Sequence, residues 1–166
     1  MKESLMKRAG FTMIELIFVI VILGILSAVA LPKFIGVSEQ AKVGKLKAYV
    51  GTLNMTTLPA YWSESISDGN NGSIKSYSDN IKKDLVAPDG ISVDFNTSLT
   101  ASYKDFSTLT TYDTTSNVVG SKKYNGKFYS IICNDGNSTS SAHCDLFKSD
   151  TNASGVTGTF LLNANN

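Results

Sequence analysis

Histidine and cysteine are almost missing from this chain, with one His and two Cys in 166 residues. A lone histidine, His143, leaves no histidine-based acid–base or nucleophile–base pair, and no G-x-S-x-G elbow, P-loop or dinucleotide fingerprint replaces it. The chain is read as no enzyme and as holding no cofactor. Cys133, Cys144 and His143 together fall short of a closed four-ligand zinc set, so no metal site is assigned. Neither sign of charge prevails: 15 Lys and Arg stand against 14 Asp and Glu. Without a basic field, nucleic-acid binding has no support from composition.

What the chain does have is one long apolar run. Residues 11–31 carry a single charge, Glu15, and at about 1.5 Å per residue a helix of that length spans about 30 Å, the thickness of a bilayer's hydrocarbon core. The run is read as a membrane-crossing helix. Lys2, Lys7 and Arg8 precede it, so the positive-inside rule puts residues 1–10 in the cytoplasm and everything after Pro32 outside. Glu15 needs an account, because an ionised side chain inside a membrane helix costs about 2.5–3.5 kcal/mol on insertion scales. Two local readings are open. Thr12-x-x-Glu15 is a capping-box pattern, with Phe11 and Leu16 placed for the accompanying hydrophobic staple. Alternatively, the carboxylate reaches the headgroups from near the end of the span, helped by the positive end of the helix dipole.

A third reading comes from the surrounding residues. A short basic leader ending in Gly10, then Phe11-Thr12, a glutamate four residues after Phe11 and an unbroken apolar run resemble the N-terminus of the type IV pilin and type II secretion pseudopilin family. The resemblance covers about residues 7–32. It implies that a prepilin peptidase cuts between Gly10 and Phe11, and that Phe11 becomes the N-methylated terminus. It also implies that Glu15 pairs with the free amine of a neighbouring subunit as a helical filament assembles. Two buried opposite charges compensate each other there, whereas either alone is strongly unfavourable. Gly24 and Pro32 match the family's helix-loosening positions, where these residues make lost helical bonds inexpensive, while Phe18, Ile22 and Ile25 pack the filament core.

The implied partners are further copies and related pilins, the prepilin peptidase, an inner-membrane platform with its ATPase, and membrane lipid before assembly. The implied locations are the bacterial inner membrane with a periplasmic head, then a pilus or pseudopilus. Loss of the leader would leave 12 basic and 13 acidic side chains. A rival reading is an ordinary signal peptide: residues 16–26 form a short apolar core and Ala28-Val29-Ala30 a cleavage site. The mature chain would then start at Leu31 as a soluble secreted binding protein, with the Gly10-Phe11-Thr12 junction and Glu15 unexplained. A DNA-uptake subunit at a filament tip is a third possibility, with Lys122, Lys123 and Lys127 as a weak patch.

Beyond the span, helical periodicity continues to about Thr57. Val43, Leu46, Val50, Leu53 and Thr57 share one face, read as packing on the protein's own sheet. Phe34, Val37, Ala41, Gly44, Ala48, Thr52 and Met55 form a second stripe roughly opposite, which meets either neighbouring helices in an assembly or more of the same domain. Pro59 is expected to end or kink the helix near Leu58, giving nearly fifty helical residues. Residues 63–80 read as a loop, Ile81 and Leu85 as a short helical turn, Pro88-Asp89-Gly90 as a turn, and Ile91, Val93 and Phe95 as a half-buried strand. Asn125-Gly126 is a strong hairpin signal between strands at 118–124 and 127–133, with further strands at 144–148 and 157–162. The expected architecture is α+β and pilin-like, a long N-terminal helix packed on a C-terminal antiparallel sheet. Its parts are a leader (1–10), a hydrophobic helix (11–32), an amphipathic extension (33–62) and a β-rich head (63–166).

Outside the cytoplasm two cysteines at the ends of adjacent strands are read as a disulfide, Cys133–Cys144, worth roughly 3 kcal/mol in the chain-entropy model. It also resembles the C-terminal disulfide region of many type IV pilins. Asp135, Asp145 and Asp150 follow no calcium-coordination spacing and are read as solvated turn carboxylates. His143 is read as a satisfied surface residue. Finally, the segments around Asn96, Asn137 and Asn152 each fit D-x-N-x-S/T without proline. This resembles the extended sequon of some bacterial N-glycosylation systems, and Asn137 and Asn152 lie in expected loops.

Overall fold

A computed structural model describes residues 10–99, 111–112, 117–150 and 156–162. The chain divides into two compact units, Met1–Ser38 and Glu39–Asn166. Helix α1 (Met13–Thr52) begins in the first and runs into the second. In the first unit its apolar stretch Met13–Leu31 is none of it buried. With side chains apolar all round, such a helix has no solvated face to turn outward. Neither Gly24 nor Pro32 interrupts it. Pro32 has no N–H to give the carbonyl four residues earlier, but a proline already in helical φ can be carried at the cost of that one bond.

In the second unit the helix shows which stripe the protein covers. Leu46, Val50 and Leu53 are fully buried, with Val43 and Thr57 half-buried beside them, whereas Ala41, Gly44, Ala48, Thr52 and Met55 are exposed. Of the two readings left open for the opposite stripe, coverage by the same domain is therefore not what the fold adopts. The buried face packs on Ile131, Cys133, Cys144 and Leu146 of the sheet and on Ile74, Tyr77, Ile81 and Phe95.

Of the two outcomes expected at Pro59, an end or a kink near Leu58, the chain does not end its helix but distorts it just before Leu58. Residues Leu53–Thr57 form a π-helical turn, in which the Leu58 N–H donates to the Leu53 carbonyl, and α2 (Leu58–Ser67) follows directly with Pro59 in its first turn. Widening the helix by one residue moves the preceding carbonyls away from the proline ring, and the first turn has no bond for proline to break. Helix thus extends well into the segment read as a loop. After it come a 3₁₀ turn (Lys75–Tyr77), α3 (Ser78–Asp84) and α4 (Phe95–Ser98).

The sheet holds five antiparallel strands in the order β1-β5-β4-β3-β2: β1 (Thr111–Tyr112), β2 (Val118–Tyr124), β3 (Lys127–Asn134), β4 (His143–Ser149) and β5 (Val156–Leu162). Asn125 and Gly126 join β2 to β3 with φ of 45° and 83°, the two left-handed residues of a type I′ turn. Ile91, Val93 and Phe95 are buried as their alternation suggests, yet they form no strand. The segment lies along the β2 edge through one backbone bond, Asp94 N–H to the Val119 carbonyl at 2.8 Å. Gly120 allows this approach, since a Cβ there would stand 2.9 Å from Ile91. The long helix on an antiparallel sheet is the α+β, pilin-like architecture expected from the sequence.

Candidate functional site

The chemistry-bearing residue of the apolar helix is Glu15, and its surroundings are built by Thr12. Thr12 occupies the cap position before Met13, and Glu15 lies three residues on. The Glu15 N–H donates to Thr12 Oγ1 at 3.4 Å, while the Thr12 N–H and hydroxyl both donate to Glu15 Oε2 at 3.4 and 3.3 Å. This is the capping box that the sequence pattern spells, satisfying two otherwise unpaired backbone donors at the helix start. Both carboxylate bonds fall on Oε2, so the box takes only part of the acceptor capacity of Glu15. Phe11 beside it is 82 % exposed. Around Glu15 the side chains of Met13, Ile14, Leu16, Ile17 and Phe18 are also exposed, as are Ile22 and Ile25.

The head's sites cluster around a disulfide between Cys133 and Cys144. The two residues are direct cross-strand partners on β3 and β4 and are fully buried. The Cys133 N–H donates outward to the Asn117 carbonyl at 2.8 Å. On the other side, among the described residues β5 pairs with β4 only from Leu146 on, beyond the Cys144 edge. Asn54, from the π turn, fills that edge: its Nδ2 donates to the Cys144 carbonyl at 2.6 Å and its Oδ1 accepts the Cys144 N–H at 2.7 Å. The side-chain amide acts as one residue of an adjoining strand. Nothing in the sequence singled out Asn54, because a polar residue in a helical stretch carries no local mark of a partner ninety positions away.

The loop between the cysteines is also tied down. Asp135 accepts from the Ile74 N–H at 2.8 Å, the Ser73 hydroxyl at 2.7 Å and the Gly136 N–H at 2.9 Å, with Lys75 at 4.0 Å. The Trp62 indole N–H donates to the Asn137 carbonyl at 2.8 Å. Gly72 and Gly136 are required where these loops meet, since a Cβ on either would come within 2.3 Å of the facing backbone. Asp135 is therefore no solvated turn carboxylate, and Asp145 is buried as well, both differing from the sequence reading. Asp150 is exposed and paired with Lys127. Among the described residues no group of three or more His, Cys, Asp or Glu side chains could hold a metal ion.

His143 is half-buried rather than a surface residue, its Nε2 3.4 Å from Asn134 Nδ2. Burial pushes its pKa below the ordinary value, with the Asp145 charge pulling weakly the other way. At the third sequence-derived cluster, Asn137 Oδ1 accepts from the Thr139 N–H and hydroxyl and from the Ser140 N–H, each at 2.9 Å. Asn96, the second residue of the short α4, has its N–H on Asp94 Oδ1 at 2.9 Å, and Asn152 lies outside the described residues. The acidic position preceding Asn137 is the sequestered Asp135, so that sequon is not presented as a free extended strand.

Glu39 is the other residue the sequence did not mark. Its Oε1 accepts from the Tyr129 hydroxyl at 2.9 Å and its Oε2 from Asn125 Nδ2 at 3.0 Å, which fastens α1 to the tip of the β2–β3 hairpin. The Asn125 and Tyr129 bonds hold its carboxyl below the usual carboxylate range. Tyr129 in turn is pushed up to about 12, first by burial and then by this bond.

Comparison with known proteins bears on the N-terminal segment. The family described as prokaryotic N-terminal methylation motif matches residues 5–31. The type II secretion system core protein G of Pseudomonas aeruginosa is 39 % identical over 67 residues, covering 38 % of this chain and 47 % of that protein. The type IV narrow pilus major component PilA5 of Thermus thermophilus is 49 % identical over 43 residues, covering 26 % of this chain and 37 % of that protein. The chain thus spans less than half the length of these curated relatives. No solved structure matches it. At its N-terminus, then, this chain carries the prokaryotic N-terminal methylation motif, and over part of its length it is similar to a type II secretion system core protein and to a type IV pilus component.

Proposed function

We propose that the chain is a structural subunit of a type IV pilus or type II secretion pseudopilus. It is held in the inner membrane by α1 with the head on the periplasmic side, and assembled through that helix into a helical filament. The observation that carries this reading is the methylation-motif match over residues 5–31, on the same stretch whose apolar side chains the protein itself leaves uncovered. On this reading prepilin peptidase cuts between Gly10 and Phe11, and Phe11 is methylated. The amine of Phe11 then meets Glu15 of a neighbouring copy. The exposed stripe of Ala41, Gly44 and Ala48 suits close helix approach, because small side chains let backbones come together.

Glu15→Gln tests the role of the carboxylate. A glutamine oxygen accepts the Thr12 N–H as the carboxylate does, so the capping box survives and cleavage proceeds. The charge compensation is lost, and breaking one side of a buried pair costs about 3–5 kcal/mol, or at least about a hundredfold in the subunit addition constant. The expected result is processed, folded subunit with filament yield close to none; filaments at wild-type level would remove this account of Glu15. Mass spectrometry of the mature N-terminal peptide checks the processing step: N-methylated Phe11 agrees with the proposal, and a terminus at Leu31 replaces it with the secreted soluble reading. Surface fibres against loss of exoprotein release distinguishes the two kinds of filament.

A further inference from the structure

We propose that Asn137 is an acceptor for an N-linked glycan, added before the loop between Cys133 and Cys144 docks on the head, an assignment that rests on the periplasmic placement of the head proposed above. The pattern D-x-N-x-S/T occurs three times, around Asn96, Asn137 and Asn152. The chain's 10 Asp, 13 Asn and 36 Ser and Thr, shuffled over the same length, would give about 0.2 such matches. A polar surface alone does not account for the repetition.

The folded loop holds the Asn137 amide in a form that can carry a glycan. Asn137 Oδ1 takes all the bonds of the side chain, from the Thr139 N–H and hydroxyl and from the Ser140 N–H, each at 2.9 Å. Its Nδ2 donates to none of the described residues, and Ser138, Thr139 and Ser140 beside it are exposed. A sugar on Nδ2 replaces one amide hydrogen and leaves Oδ1 an acceptor, so all three bonds persist. Asn54 is the contrast. Asn54-Met55-Thr56 also fits N-x-T, but no acid stands two residues before it, and its Nδ2 is committed to the Cys144 carbonyl at 2.6 Å.

Once folded, the same loop is closed to a transferase. Five acceptor residues laid out extended span about 17 Å. Here the Asn137 N–H turns back to the Ser140 carbonyl at 2.9 Å, and the Asn137 carbonyl is held by Trp62. The acid of the pattern, Asp135, has a side chain only 4 % exposed, occupied by Ser73, Ile74 and Gly136. Transfer therefore precedes docking. In the step, Asn137 Nδ2 attacks the anomeric carbon of a lipid-diphosphate-linked glycan. The N–C bond forms, the C–O bond to the diphosphate breaks, the diphosphate leaves with the bonding pair, and Nδ2 gives up one proton to a base of the transferase.

The test incubates the full-length chain in detergent micelles with a purified oligosaccharyltransferase of the acidic-sequon type and its lipid-diphosphate-linked glycan, and reads each acceptor peptide by mass spectrometry. With the disulfide intact Asn137 is expected to stay nearly bare. Reduction, which frees the loop, should speed its modification by at least about tenfold, the weight of one or two lost loop bonds. Thr139→Ala should stop transfer to the reduced chain, Asn54 should stay bare throughout, and the glycosylated chain should recover the fluorescence of Trp62 on reoxidation. No transfer to Asn137 of the reduced chain, or equal rates in the two forms, overturns the proposal. In cells, protease added to spheroplasts separates it from the placement of the head. A head that resists digestion refutes the placement and with it any transfer there, whereas a digestible head with a bare Asn137 peptide refutes the glycan alone.

Discussion

Replacing Asn54 by alanine isolates the contact that joins the helix to the disulfide-bearing strand. Two short hydrogen bonds of 2.6 and 2.7 Å are lost, each worth about 0.5–1.5 kcal/mol net. The Cys144 N–H and carbonyl are then left at a partly buried edge beyond the described β4–β5 pairing, and where water fails to replace Asn54 the penalty grows by about 1–3 kcal/mol per group. The expected loss is therefore about 2–4 kcal/mol. Asn54→Asp should cost at least as much, because it keeps an acceptor for the Cys144 N–H but sets a carboxylate oxygen against the Cys144 carbonyl. The assay is urea unfolding of the full-length chain in detergent micelles, followed by fluorescence of the single tryptophan, which reports the head because Trp62 is bonded to the loop between the cysteines. With a slope of about 1–3 kcal/mol per molar urea, the midpoint should fall by about 1–2 M at unchanged slope. An Asn54→Ala unfolding free energy within about 0.5 kcal/mol of wild type would show that the clamp contributes nothing beyond what water supplies.

Two further outcomes follow from the head. Replacing Cys133 and Cys144 together by alanine should lower stability by roughly 3 kcal/mol through the released loop entropy, read from the same urea midpoint; a loss under about 1 kcal/mol would mean the bonds of Asp135 and Asn137 already hold the loop. The pKa of His143 is depressed below its ordinary 6.5 by burial, so as pH falls below 6.5 the unfolded chain takes the proton first and stability declines until the folded pKa is passed. Lowered carboxyls such as Glu39, ordinarily at 4.5, contribute only below that value. Unfolding midpoints between pH 6.5 and 4.5 should therefore drop for wild type and stay flat for His143→Asn, and a flat wild-type profile would refute the assignment.

The parts of the fold that were legible in the sequence are those with local causes. The capping box at Thr12 and Glu15 involves residues three apart, and the type I′ turn at Asn125-Gly126 follows from which residues accept positive φ. That Leu46, Val50 and Leu53 share one face of the helix follows from helical period alone. Where sequence reading failed, a distant partner had decided the matter. Ile91, Val93 and Phe95 alternate like a strand and are buried like one, but the β2 edge offers them a single backbone bond instead of a ladder. Pro59 reads equally as an end or a kink of the helix, and the π turn before it decides for the distortion.

The sequence by itself determined that the chain holds a long apolar helix with one carboxylate near its start, because length and hydropathy are properties of consecutive residues. It also determined the hairpin and the pair of cysteines. Only the tertiary structure decided which stripe of α1 is covered, that Asn54 completes the edge of β4, that Asp135 is a buried tie, and that Glu39 fastens α1 to the β2–β3 hairpin. Each of these depends on residues widely separated along the chain coming within hydrogen-bonding or Coulombic range, and packing sets that proximity.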